Sequence, residues 1–222
     1  MGRDLALLEA CARGEIIGAV RLYGFAPPCL SLGRMQPMSD VDLEACARDG
    51  VDVVRRPSGG RAVLHDQEVT YAVVCRSTDP VFGGRVLESC SRIHQAVAAG
   101  LEILGVRTAP RAMPANLRRD AREIAAVADC FGRPAAHELL DERGRKLVGS
   151  AQARRAGALL QHGAVLLEPA RAATYLRSIE EPAAGSASVR EILGRDVTRD
   201  ELVEALRLGF DGMLVGSLNT AA

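Results

Sequence analysis

The sequence predicts an α+β fold, on three observations. Hairpins and helices alternate along the chain without a clean strand–helix–strand rhythm, which argues against a doubly wound sheet. The longest periodic segment, residues 85–104, carries a helical stripe of Val86, Ile93, Val97, Leu101 and Leu104 and stops at Gly105. The length, 222 residues, suits one α/β-type domain with at most a small appendage.

The elements follow in order. Residues 4–13 read as a helix with Leu5, Leu7, Leu8 and Cys11 on its apolar side. Residues 16–23 and 29–33 read as strands, and Asp40 and Asp42 precede a short capped helix at 43–48. Val51 to Arg55 is a β-branched strand, a glycine-rich loop follows, and Val69 to Cys75 is another strand. After the long helix comes an irregular stretch, 108–136, containing Pro110, Pro114, Gly132 and Pro134; a loop of that length in a domain is usually functional or disordered. Strands are expected near 137–141, 145–152 and 157–167, with the turn Glu142-Arg143-Gly144 between the first two. Helices near 170–177 and 199–215 close the chain, and Pro182 to Ser188 reads as a linker. Residues 1–180 are thus expected as the main domain, and 181–222 as a linker and helical tail packed on the same domain.

Composition excludes several classes. Formal net charge is zero and no long block of like charge occurs, so no nucleic-acid-binding or acidic tail is present; Arg118-Arg119 and Arg154-Arg155 read as solvated surface pairs. No apolar run approaches the roughly 18 residues of a membrane span. Met1-Gly2-Arg3-Asp4 opens directly into a helical pattern without a signal-peptide core. Six cysteines without a CxxC pair read as free thiols in a reducing cytoplasm. Aromatics are few and Trp is absent, so Ala, Val and Leu must build the core. Of 28 Lys and Arg side chains, Lys146 is the single lysine. Arg does not deprotonate in proteins whereas a tuned Lys does, so Lys146 is either a stray surface residue or a retained functional one.

Three segments carry candidate chemistry. Arg55-Arg56-Pro57-Ser58-Gly59-Gly60-Arg61-Ala62-Val63-Leu64-His65-Asp66 lies between strands. Its paired glycines let backbone approach a ligand, or simply make a turn; it is neither a GxxxxGK[ST] nor a GxGxxG loop. Cys130 sits at the end of the long loop, unlike Cys11, Cys29, Cys46, Cys75 and Cys90, which fall in or beside regular segments and read as small core residues. Taken alone, Cys130 fits a buried thiol as well as a nucleophile. Gly144-Arg145-Lys146-Leu147-Val148-Gly149-Ser150-Ala151-Gln152 sets the lone lysine at the start of a strand, where a desolvated Lys serves as a base or a thiolate partner. His94 falls on the long helix and reads as structural, His65 and His162 end strands beside the motifs, and His137 stands apart. No HxH, HExxH or Cys/His spacing suggests a metal.

Together these segments, with Leu160-Gln161-His162-Gly163, resemble the biotin/lipoate protein ligase-like superfamily. Within it the chain is most similar to the cysteine-dependent octanoyl-[acyl-carrier-protein]:protein N-octanoyltransferase branch, over nearly its whole length. The resemblance implies a mixed, largely antiparallel sheet flanked by helices. It implies Cys130 as the acyl-thioester nucleophile and Lys146 as the lysine that lowers its pKa. The Gly59-Gly60 loop would wall the acyl pocket, and Arg56, Ser58, Arg61, His65, Gly149, Ser150, Ala151, His162 and Gly163 would complete the substrate site. It also implies octanoyl-acyl carrier protein as donor, and as acceptors the lipoyl domains of 2-oxoacid dehydrogenases or the glycine cleavage H protein. No cofactor, nucleic acid or membrane is implied; the enzyme is expected as a cytoplasmic monomer. The chain departs from the family at Gly132, Ala135 and His137, where acidic, Ser and Tyr residues are usual. Three rivals share these motifs. An ATP-dependent lipoate–protein ligase would favour a third glycine where Arg61 stands and an accessory domain after the catalytic one. An amidotransferase would move octanoyl between lipoyl-bearing proteins. A non-catalytic ligand-binding relative would not need both Cys130 and Lys146.

Overall fold

The computed structural model describes residues 1–112, 129–131, 138–177 and 185–219. Helix α1 (Gly2–Arg13) ends at Gly14, whose φ of 80° makes the left-handed cap that glycine tolerates best. Strands β1 (Gly18–Tyr23) and β2 (Cys29–Leu32) follow, then a single 3-10 turn at Met38–Asp40. Helix α2 (Leu43–Arg48) is capped by Asp42, whose carboxylate accepts from the Ala45 N–H at 3.0 Å. Strands β3 (Asp52–Arg55), β4 (Val63–His65) and β5 (Glu68–Arg76) lead into α3 (Val86–Ile103). Then come β6 (Ala109–Pro110), β7 (Leu139–Leu140), β8 (Lys146–Arg155), β9 (Ala158–Leu166), α4 (Val189–Leu193) and α5 (Arg199–Asn219).

Six strands form one antiparallel sheet in the order β1-β5-β9-β8-β7-β6. A second sheet, β3-β2-β4, joins β2 and β3 in parallel and β2 and β4 antiparallel. The fold is therefore α+β, with a mixed but largely antiparallel set of strands.

Strands β5 and β9 sit inside the large sheet and are covered on both faces, which is why their sequences are almost uninterrupted apolar runs. The pleat sorts their side chains. Tyr71, Val73 and Cys75 of β5 join Ile93, Val97 and Leu101 of α3 and Leu202, Leu206 and Phe210 of α5 in the main core. Ala72 and Val74 point the other way and pack with Leu8 and Cys11 of α1. Helices α3 and α5 approach closely at Gly100 and Gly209, where a Cβ on Gly209 would lie 2.3 Å from the Ala96 carbonyl oxygen. No helix among the described residues is long and apolar enough to cross a membrane.

The structure differs from the sequence reading at four places. The helix expected near 170–177 is a 3-10 turn, Ala172–Tyr175. Its C-terminal side turns extended at Leu176 and is held by main-chain bonds from Asp42 N–H to Tyr175 O and from Arg177 N–H to Asp40 O, so packing against the α2 region overrides the local preference. β4 and α4 are additional elements; α4 carries a Ser188 N-cap accepting from the Glu191 N–H. Within the long irregular stretch, Ala109–Pro110 pairs with β7. Gly132, Ala135 and His137 lie outside the described residues.

Candidate active site

Lys146 opens β8 and is fixed on both sides. It pairs with Leu140 of β7 across an irregularity in register, and its carbonyl accepts from the Ala187 N–H at 2.9 Å. Cys130 arrives from the other direction. Its N–H donates to the Ala62 carbonyl at 2.9 Å and Asp129 bridges Ala62, so the thiol segment is stitched to the end of the Gly59-Gly60 loop. The Asp129 carboxylate accepts from the Phe131 N–H at 2.9 Å, which turns the chain directly after the cysteine.

These tethers bring the lysine against the thiol. Lys146 Nζ lies 3.3 Å from Cys130 Sγ and 2.8 Å from the Cys130 carbonyl oxygen. Its third neighbour is Glu138, with Oε1 at 2.6 Å. Lys146 is only 1% exposed, and the Phe131 ring centroid is 5.0 Å from Nζ. Burial alone pulls the ammonium toward neutrality, but the charges and hydrogen bonds of Cys130 and Glu138 outweigh it and raise the pKa above the ordinary lysine value. Lys146 is therefore an ammonium rather than a free amine. Cys130 is half-buried and keeps an accessible edge.

A narrow pocket opens beside the sulfur. It is lined by Cys130, by Gly149, Ser150 and Ala151 of β8, and by Arg56, Gly60, Val63 and His65. His162, Gly163, Ala164, Ser31, Thr70 and Met1 also line it. Glycine at 163 is a steric requirement, because a Cβ there would meet the Gly149 carbonyl oxygen at 2.6 Å; a Cβ on Gly149 would crowd Lys146 Cε and Phe131 Cζ at 3.1 Å. Gly60 has φ of +88°, and its carbonyl oxygen would be 1.9 Å from a Cβ on Gly33, so Gly33 lets the loop fold back over β2.

Arg56, buried, holds that loop. Its guanidinium donates to the carbonyl oxygens of Ser31 at 2.8 Å, Gly59 at 3.0 Å and Arg61 at 2.6 Å. Ser58 pairs with His162 Nε2 at 2.5 Å. Burial, then the nearby charges of Arg56 and His65, push His162 down to about 3, so it is a neutral imidazole at physiological pH. His65 contacts Ser31 Oγ at 2.9 Å through Nε2 and Glu68 Oε1 at 3.2 Å through Nδ1.

Of the residues singled out in the sequence, Cys130, Arg56, Gly60, His65, Gly149, Ser150, Ala151, His162 and Gly163 border this one pocket. Lys146 stands behind Cys130. Ser58, Gly59 and Arg61 touch it indirectly, through His162 and the Arg56 guanidinium. The sequence reading missed Glu138, which had no motif to mark it. It also set His94 aside as structural, yet His94 Nε2 lies 2.5 Å from Ser150 Oγ, with Tyr71 OH 2.8 Å from the same oxygen. Among the described residues no group of His, Cys, Asp and Glu is arranged to hold a metal ion.

Comparison with known proteins agrees with this architecture. Residues 1–211 match the family described as lipoyl protein ligase A/B catalytic domain. Octanoyltransferase LipM of Kyrpidia tusciae is 40% identical over 225 residues, covering 95% of this chain and 80% of that protein. Among solved structures, a lipoate-protein ligase A bound with ATP has a TM-score of 0.71 at 25% identity, covering 96% of this chain and 81% of that one. A bi-partite lipoate protein ligase from Thermoplasma acidophilum, described with its E2 lipoyl domain, has a TM-score of 0.69 at 26% identity, covering 95% and 78%. The chain belongs to the lipoyl protein ligase A/B catalytic domain family and is an acyltransferase.

Proposed function

We propose that this acyltransferase moves octanoyl from acyl carrier protein, through a thioester on Cys130, to the lysine of a lipoyl domain in lipoate biosynthesis. The observation that carries the reading is the half-buried Cys130 sulfur, 3.3 Å from a buried ammonium at the wall of a narrow pocket. The Cys130 thiolate attacks the carrier-protein thioester, a C–S bond forms, the donor C–S bond breaks, and the carrier thiolate takes up a proton. The lysine amine of the acceptor domain then attacks; a C–N bond forms and the Cys130 C–S bond breaks. The donor is already activated, so ATP has no role, and two half-reactions on one thiol give ping-pong kinetics. The octanoyl chain occupies the pocket between the Arg56–His65 loop and β8. Main-chain N–H groups near Gly149 hold the oxyanion. The acceptors are lipoyl domains of 2-oxoacid dehydrogenases or the glycine cleavage H protein, met in the cytoplasm by a monomeric enzyme. The test is intact-mass measurement after mixing with octanoyl-acyl carrier protein. One octanoyl group should appear on the unsubstituted protein and on no Cys130→Ala protein, without ATP. Product formed only from free acid with ATP and Mg²⁺ would establish a ligase instead.

A further inference from the structure

An ammonium has three N–H bonds to place. Lys146 spends them on the Cys130 carbonyl at 2.8 Å, the Cys130 sulfur at 3.3 Å and Glu138 Oε1 at 2.6 Å. With the lysine 1% exposed and Glu138 5% exposed, water cannot stand in for either partner. A buried cation that loses its counter-charge sheds its proton. While Cys130 is a thiolate, two anions surround Lys146. Once the sulfur carries an acyl group its charge is gone, and Glu138 is the anion in direct contact. Asp129 also faces Lys146 electrostatically, but burial pushes its carboxyl upward and it already accepts from the Phe131 N–H. The Phe131 ring offers a face at 5.0 Å and no charge.

We propose that Glu138 is a positioning residue of the second half-reaction: it keeps Lys146 an ammonium while Cys130 is acylated, so that the positive charge is in place when the thiolate departs. This rests on the Cys130 acyl-enzyme reading. In that step the neutral lysine amine of the acceptor forms the C–N bond, and the C–S electron pair returns to sulfur beside Lys146. The surplus proton of the new amide nitrogen passes to solvent. In the first half-reaction the attacking thiolate is itself the counter-ion of Lys146, so that step depends less on Glu138.

The test uses Glu138→Gln, which keeps the shape and an oxygen acceptor but removes the charge. Octanoyl-enzyme is formed from octanoyl-acyl carrier protein, isolated, and mixed with a lipoyl domain across roughly pH 6–10. Transfer to the domain should slow on the order of 10²-fold, the low end for a positioned acid–base group. Its alkaline fall-off should move to lower pH, because Lys146 deprotonates sooner, while octanoyl-enzyme formation changes far less. If the Gln protein does not fold, Glu138→Asp, which retains the charge one methylene back, should show a weaker slowing of transfer alone. Transfer at the unsubstituted rate with an unmoved alkaline limb overturns the proposal, as does equal slowing of both half-reactions, the mark of a structural residue. Absence of octanoyl on Cys130 in the unsubstituted protein sinks the transfer reading and this inference with it. Normal transfer from octanoylated Glu138→Gln sinks this inference alone.

Discussion

Lys146 holds Cys130 by two atoms at once, its Nζ donating to the main-chain oxygen at 2.8 Å and to the sulfur at 3.3 Å. The lysine therefore both braces the Cys130 main chain and sets a positive charge beside its sulfur. Because the ammonium is the raised, paired form, its contribution is charge and geometry rather than a resting free base.

Lys146→Arg should be far more damaging than its conserved charge suggests. Three acceptors converge on one small ammonium, and a planar guanidinium cannot place its donors at a single point. Its extra bulk must enter a site that is 1% exposed and pressed against Gly149. We expect a loss on the order of 10²–10⁴-fold in single-turnover transfer from octanoyl-enzyme to the lipoyl domain, with far-ultraviolet circular dichroism unchanged. A rate near that of the unsubstituted protein would show the lone lysine to be an accident of composition.

Gly149→Ala should injure the site more than the fold. The new Cβ would lie 3.1 Å from both Lys146 Cε and Phe131 Cζ and 3.4 Å from Nζ, so it displaces the pair behind Cys130. Overpacking of this kind costs about 1–3 kcal/mol of stability. The measurement is the rate of octanoyl-enzyme formation beside the denaturant midpoint. A lowered midpoint with a normal rate would show that Lys146 absorbs the clash without losing its contact to sulfur.

His162 should make the protein acid-sensitive before any carboxylate does. Its folded pKa of about 3 lies below the ordinary value of 6.5, so the unfolded chain binds a proton that the folded one refuses. Stability from this group is complete above about pH 6.5 and is lost as pH falls toward 3, at roughly 1.4 kcal/mol per pH unit. Denaturation series between those limits should show that slope, and His162→Asn should flatten it. An imidazole resonance of His162 that titrates near neutral pH would refute the assignment.

Gly209→Ala reverses the usual helix rule. In an isolated helix Ala is preferred over Gly by about 1 kcal/mol. Here the Cβ would sit 2.3 Å from the Ala96 carbonyl oxygen and 2.5 Å from the Gly100 N, forcing α5 away from α3. We expect a lower Tm, by an amount equivalent to about 1–3 kcal/mol, with octanoyl-enzyme formation unchanged well below the transition. A stabilised variant would show that the helices separate freely.

The candidate site was partly legible. Arg55 to Asp66 and Gly144 to Gln152 carry enough glycine and polar character in sequence to mark loops and a strand where backbone and ligand approach. Lys146 stood out because an otherwise lysine-free composition singles it out. Glu138 did not, because an acid beside a short strand has no periodic or motif signal; its 2.6 Å contact to Lys146 is made only across the strand turn. His94 read as core from its helical position, and only packing of α3 over β8 puts Nε2 on Ser150. α4 had a signal in Ser188 and Glu191, the cap and third-position acid of a helix start, but five residues are too few for a periodic stripe.

By itself the sequence determined the α+β class, the central apolar strands and the long helix, because burial periodicity is a local property written residue by residue. It also named the lysine and offered the cysteine. Tertiary structure alone decided that Cys130 faces Lys146, that Glu138 completes the ammonium's contacts, and that Ala172–Tyr175 is one turn rather than a helix. Those outcomes depend on which groups share a buried space. In such a space a charge must find a partner and a backbone group must find a bond, whatever its neighbours in sequence prefer.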